Sequence, residues 1–135
     1  VFTGDGAGQN AINDEKLMIA SLFGGLSLTY SEVGACHAFS YGLSYVFGLR
    51  HGLANCIAFQ YLDALYGDVV AEFQEMVDRH NIDIPKGLSK GWSKGEIAKM
   101  ADVAYNLPHM WTHALGHDWD EKLTKEDIVE VYKNM

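Results

Sequence analysis

A chain of 135 residues, 48% hydrophobic and 21% charged, has the material for one globular domain and is far from the composition of a disordered tail. Its net charge of -8 repels phosphate backbones, and its Lys and Arg residues form no long run, so neither nucleic acid nor an anionic membrane surface is expected as a partner. No apolar stretch reaches the ~18 residues of a spanning helix, no basic-then-apolar leader is visible, and Cys36 and Cys56 make no disulfide framework; a cytoplasmic protein with reduced thiols is the expectation.

The chain opens Val1-Phe2-Thr3, without an initiator methionine or a helix cap, and is expected to be a fragment of a larger protein, residues 1–135 forming one all-helical domain. TGDGAGQNAIND reads as a polar loop. Its glycines lack the preceding strand and the full GxGxxG spacing of a phosphate-binding turn. From there the period is helical, and no segment alternates long enough to predict a strand. Asn13 or Asp14 is a cap for a helix through KLMIASLFGGLSLTYS, which is apolar on nearly every face and so expected to be buried.

A second helix is expected from about Glu32 to Gly48, and a third from His51 through GLANCIAFQYLDALY. Gly67 breaks the chain, and Asp68 reads as the cap of VVAEFQEMVDRH, which Asn81 and Pro85 end. Ser93 and Glu96 have capping-box spacing, Pro108 suits a first turn, Gly116 suits a helix end, and Thr124 with Asp127 caps IVEVYKN. Six or seven helices in a bundle-like, all-α domain follow.

Chemistry centres on CHAFSYGLSYVFGLRHGLAN, Cys36 to Asn55. Neutral imidazole is a common ligand for divalent iron and zinc. His37 and His51 on one continuous helix would stand about 21 Å apart, too far to share an ion. They can meet only if the helix breaks, and Gly42 and Gly48 read as the breaks. Spacing alone leaves a shared metal and two incidental histidines both open. His109, His113 and His117 have more suggestive local spacing, but no acid accompanies them, and an exposed helix end explains them without function. His80 ends its own helix and has the same explanation. The acids of Asp118-Trp119-Asp120-Glu121 read as a solvated surface. Cys36 beside His37 makes a poor nucleophile and base, because adjacent helical residues point in different directions.

The stretch GGLSLTYSEVGACHAFSYGLSYVFGLRHGLANCIAF resembles the C-terminal domain of the iron-containing (group III) alcohol dehydrogenases. The likeness lies in a helical histidine, a second histidine fourteen residues on, and Gly-Leu-Ala-Asn directly after it. Within the family it is most similar to the 3-deoxy-manno-octulosonate 8-oxidase branch. The resemblance implies a two-domain oxidoreductase whose N-terminal α/β domain, absent from this chain, binds NAD or NADP. It implies one divalent metal, iron or zinc, held by an aspartate and three histidines, with His37 and His51 matching the last two. The aspartate and first histidine belong to an earlier helix outside this chain.

Where many members carry another histidine four residues after the ligand that His37 matches, this chain has Tyr41, on the face of His37 and expected to line the same cleft. Tyrosine, with an ordinary pKa of ~10, is a poorer base there. The implied reaction is hydride transfer from a small-molecule alcohol, a sugar acid such as 3-deoxy-octulosonate, to nicotinamide. Arg50 is the candidate for holding the acid's carboxylate. The resemblance allows a homodimer and predicts that this fragment alone is inactive. The other reading is a free-standing helical module for binding or assembly.

Overall fold

The computed structural model describes residues 11–135, with side chains from residue 13 onward. The loop and glycine-rich expectations for residues 1–10 lie outside the described residues. The chain divides after Val33 into two units. All regular structure among the described residues is helical.

The first unit contains α1, Ala11–Ser31. Asn13 and Asp14, expected to precede it, lie inside its first turn. The expected burial is overturned: Leu17, Met18, Ile19, Leu22, Phe23, Leu26, Leu28 and Tyr30 are all exposed. An apolar helix buries itself only against a partner, and within its own unit α1 has none.

The second unit holds α2 (Ala35–Phe47), α3 (His51–Phe59), α4 (Asp63–Tyr66), α5 (Asp68–Arg79), α6 (Lys94–Tyr105), α7 (Pro108–Leu115), α8 (Trp119–Lys122) and α9 (Lys125–Asn134), with a 3-10 turn at Leu88–Gly91. The described residues thus form nine α-helices where six or seven were expected. The excess comes from the four-residue α4 and α8, too short for periodicity to reveal. The expected third helix stops at Phe59 instead of running to Tyr66. Tyr61 N–H bonds the Ala58 carbonyl at 3.0 Å and Leu62 N–H that of Phe59 at 3.3 Å, a tightened turn that ends α3 without glycine or proline.

Capping follows the sequence closely at three places. Ser93 and Glu96 form a capping box on α6, as do Thr124 and Asp127 on α9, and Pro108 begins α7. Asp68 is instead the first residue of α5, and Gly67, at φ 56°, takes the cap position without a side-chain bond. The second helix starts at Ala35 behind Gly34, because Glu32 is left-handed at φ 54° and cannot belong to it.

α2 is the central element, packed against α6, α3 and α7. Its buried face carries Ala35, Ala38, Phe39, Gly42 and Leu43. Phe39 meets the edges of Trp111 and Tyr132 at 5.6 and 5.3 Å. Trp111 Nε1 donates to the Ala104 carbonyl at 2.8 Å, and the buried Tyr132 hydroxyl donates to the Phe39 carbonyl at 2.7 Å. Gly42 is not the break expected of it. It lies within α2 because Tyr132 Oη and the Met100 carbonyl crowd the space where a Cβ would stand.

Candidate metal centre

The chain reversal that brings His37 to His51 is made at Gly48. This residue sits in the left-handed region at φ 66°, and its N–H bonds the Ser44 carbonyl at 2.9 Å. Leu49 and Arg50 carry the chain back, and α3 begins at His51. His37 is in the first turn of α2, half-buried, while His51 opens α3 and is exposed. Their ring centroids are 5.1 Å apart, with the planes inclined at 51°.

That separation can be compared with what one ion needs. A nitrogen about 2.0–2.1 Å from the metal puts its ring centroid about 3.2 Å away, and two such rings at a tetrahedral angle stand about 5.2 Å apart. The 5.1 Å separation is therefore that of two imidazoles on one ion, and such an ion would take two of its ligands from them. Among the described residues, no group of three or more His, Cys, Asp or Glu comes together.

Electrostatics favour the ligating form of His37. Burial, and then the neighbouring His51, hold its pKa below the ordinary imidazole value, so the ring is neutral at pH 7. Tyr41 lies one turn past His37 and stacks on His51, with centroids 5.5 Å apart and planes at 25°. Three rings from two helices thus converge. Arg50 is exposed at the cap position of α3. No ion pair holds it among the described residues.

Asn55 is a part that sequence reading missed. Its Nδ2 donates to the His51 carbonyl at 3.0 Å and lies 3.1 and 3.4 Å from the two ring nitrogens. A donor in line with one lone pair would stand much farther from the other nitrogen, so the amide rests against the ring rather than capping either lone pair. The Cys36 thiol donates toward the Asn55 carbonyl and side-chain oxygens, each at 3.5 Å. Cys36 N–H bonds the Tyr66 hydroxyl at 3.2 Å. Burial, with a smaller contribution from Cys56, pushes the Cys36 thiol up to about 12, so it is a donor and not a nucleophile. The available signal was the asparagine four residues after His51, a spacing that returns a side chain to the same helix face.

His109, His113 and His117 are exposed and form no metal cluster with any acid or cysteine among the described residues. Asp118 pairs with Lys122 at 2.7 Å on the surface. No helix of the described residues is long and apolar enough to cross a membrane.

In comparison with known families, the model of the Fe-containing alcohol dehydrogenase family, C-terminal, matches residues 5–79, more than half of the chain and all of the segment from α1 through α5.

Proposed function

The chain belongs to the Fe-containing alcohol dehydrogenase family, and from that premise we propose that it is the helical domain of a metal- and nicotinamide-dependent alcohol oxidoreductase in which His37 and His51 supply two of the metal's ligands. The observation that carries this reading is the meeting of the two imidazoles at 5.1 Å across the Gly48 reversal. A bound divalent ion would supply charge stabilisation for a deprotonating alcohol, and a nicotinamide the hydride acceptor.

The residues of this chain prepare that site. Partial burial keeps His37 neutral and able to ligate. Asn55 packs against the His51 ring while its amide bonds the His51 carbonyl, and the Cys36 thiol bonds Asn55 in turn. Tyr41, stacked on His51, closes one side of the pair and offers a hydroxyl donor to a polar substrate group.

The sugar-acid substrate of the octulosonate-oxidase branch has only Arg50 behind it. If Arg50 grips a carboxylate, Arg50→Met raises KM for 3-deoxy-octulosonate at least about tenfold while sparing neutral alcohols. An unchanged KM removes that role.

The test of the main reading is metal analysis of the full-length protein, with alcohol-dependent reduction of NAD or NADP measured on the same sample. About one iron or zinc per chain is expected, lost in His51→Ala together with activity. A protein without metal and without alcohol-dependent reduction would instead be a helical module for binding or assembly.

A further inference from the structure

α6 and α9 pack side by side, and two cross-contacts fix how they run. Lys125, the first residue of α9, pairs with Asp102 in the last turn of α6. Lys133, in the last turn of α9, lines the same groove as Lys94, the first residue of α6. The two helices are therefore antiparallel. Moving one turn at a time from the ion pair sets Val129 against Ala98 and then Lys133 against Lys94. These four residues, with Ile97, line a groove of about 300 Å³.

The two ends of this stripe differ in charge. Asp102 and Lys125 are of opposite sign and pair. Lys94 and Lys133 are both cations. Lys133 has a local reason to be there: a cation suits the last turn of a helix, and its ammonium bonds Glu130 at 2.6 Å. Lys94 has neither. It stands at the end of α6 where the helix dipole disfavours a cation, and its side chain has no ion-pair or hydrogen-bond partner among the described residues. Between the lysines and the ion pair the wall is apolar, formed by Ile97, Ala98 and Val129. Two ammoniums at one mouth of an apolar groove, in a chain of net charge -8, are complementary to a single amphiphilic anion.

We propose that the groove between α6 and α9 binds a medium-chain aliphatic carboxylate, its head between Lys94 and Lys133 and its tail along Ile97, Ala98 and Val129. The ammoniums supply counter-charge and charge-assisted hydrogen bonds to the head. A bare inorganic anion would leave the apolar wall in water, and a neutral chain would leave Lys94 unserved. The tail is bounded in length. From the level of Lys133 to that of Lys125 is two turns of helix, about 12 Å, and there the apolar wall gives way to the ion pair. All these residues lie beyond residues 5–79, the segment matched by the dehydrogenase family, so the site does not rest on the oxidoreductase reading.

The experiment uses full-length protein stripped of metal, so that no carboxylate is drawn to an ion. It is titrated with octanoate below the micelle-forming range and read by saturation-transfer NMR of the chain methylenes. Saturable binding is expected. Affinity should rise from butanoate to octanoate by about twofold per methylene, half the full-burial effect because the groove is open along one side, and level off beyond decanoate. Octanamide, equal in length but uncharged, should bind several-fold more weakly, and inorganic phosphate at equal concentration should not displace octanoate. Lys94 and Lys133 are exposed, so Lys94→Gln and Lys133→Gln leave folding undisturbed, and each should weaken binding about threefold to fivefold. Ala98 is exposed as well, and Ala98→Asp should abolish binding. Lys122→Gln, on α8, should leave it unchanged.

Absence of saturable octanoate binding, octanamide binding as tightly, displacement by phosphate, or indifference to both lysine variants or to Ala98→Asp would each overturn the assignment. Octanoate binding with the expected responses, in a protein that oxidises no alcohol, would keep this site and remove only the oxidoreductase reading.

Discussion

Replacing Gly42 with alanine sets two opposed effects against each other. Alanine is the better helix former, by about 0.8–1 kcal/mol in a helix interior. Against it stands the lack of room. The new Cβ would run into Tyr132 Oη, 2.8 Å from the Met100 carbonyl oxygen and 3.0 Å from Tyr132 Cζ. Overpacking of this kind costs about 1–3 kcal/mol. Pushing the hydroxyl aside also strains its 2.7 Å bond to the Phe39 carbonyl, and a buried hydroxyl left without a partner costs about 1–3 kcal/mol more. A net destabilisation of about 1–5 kcal/mol follows. The assay is urea unfolding followed by tryptophan fluorescence, with a lower midpoint at an unchanged slope expected. In the Gly42→Ala background, Tyr132→Phe removes the atom in collision and should cost less than it does in the parent, or stabilise. A Gly42→Ala protein as stable as the parent would refute the reasoning, for propensity would then have won and the close approach would carry no weight.

Three further outcomes are expected. Burial holds the folded His37 pKa below its unfolded value of about 6.5, so its share of stability is present above that pH and lost as pH falls through the folded pKa; His37→Gln should flatten that part of a pH–stability curve in the metal-free protein, and an unchanged slope would contradict the burial argument. With its thiol pushed up to about 12, Cys36 should resist iodoacetamide at pH 8 in the folded protein and react only on unfolding, which peptide mass spectrometry reads directly; alkylation at the rate of a free thiol would count against it. Thr124→Ala removes the α9 cap and should cost about 1 kcal/mol in urea unfolding, since Thr124 Oγ1 accepts from Asp127 N–H at 3.2 Å and Asp127 returns a bond at 2.8 Å.

Local signals in the sequence were reliable where the physics is local. Both capping boxes, Pro108 at a first turn and the left-handed glycines 48 and 116 each answer to a few adjacent residues, and each stands where the sequence put it. Two of the failures are non-local. Gly42 reads as a helix breaker by composition, yet its glycine is required by Tyr132, which arrives from the far end of the chain. Lacking that partner, sequence reading offered Gly42 as a break inside a helix it also expected to run on to Gly48. α1 is the converse case. Its apolar residues led to an expectation of burial, but hydrophobicity does not say where a cover comes from, and its own unit supplies none.

The candidate site shows the same division at higher resolution. That His37 and His51 can meet only if the helix breaks between them follows from the rise per residue, and Gly48 was a legible place for it. The rings then meet at a distance set by packing: α2 is pinned at Gly42 against α6 and α9, while Asn55 packs against the His51 ring. A substitution at Gly42 is therefore a perturbation of the site as well as of the core, because His37 and Tyr41 ride on the helix that the contact seats. If Gly42→Ala lowers stability, it should also lower metal affinity in the full-length protein, and Tyr132→Phe should restore part of both together. Restoration of stability without any return of metal affinity would separate the two, and would show that the histidine pair is held by the Gly48 reversal and Asn55 rather than by the seat of α2 in the core.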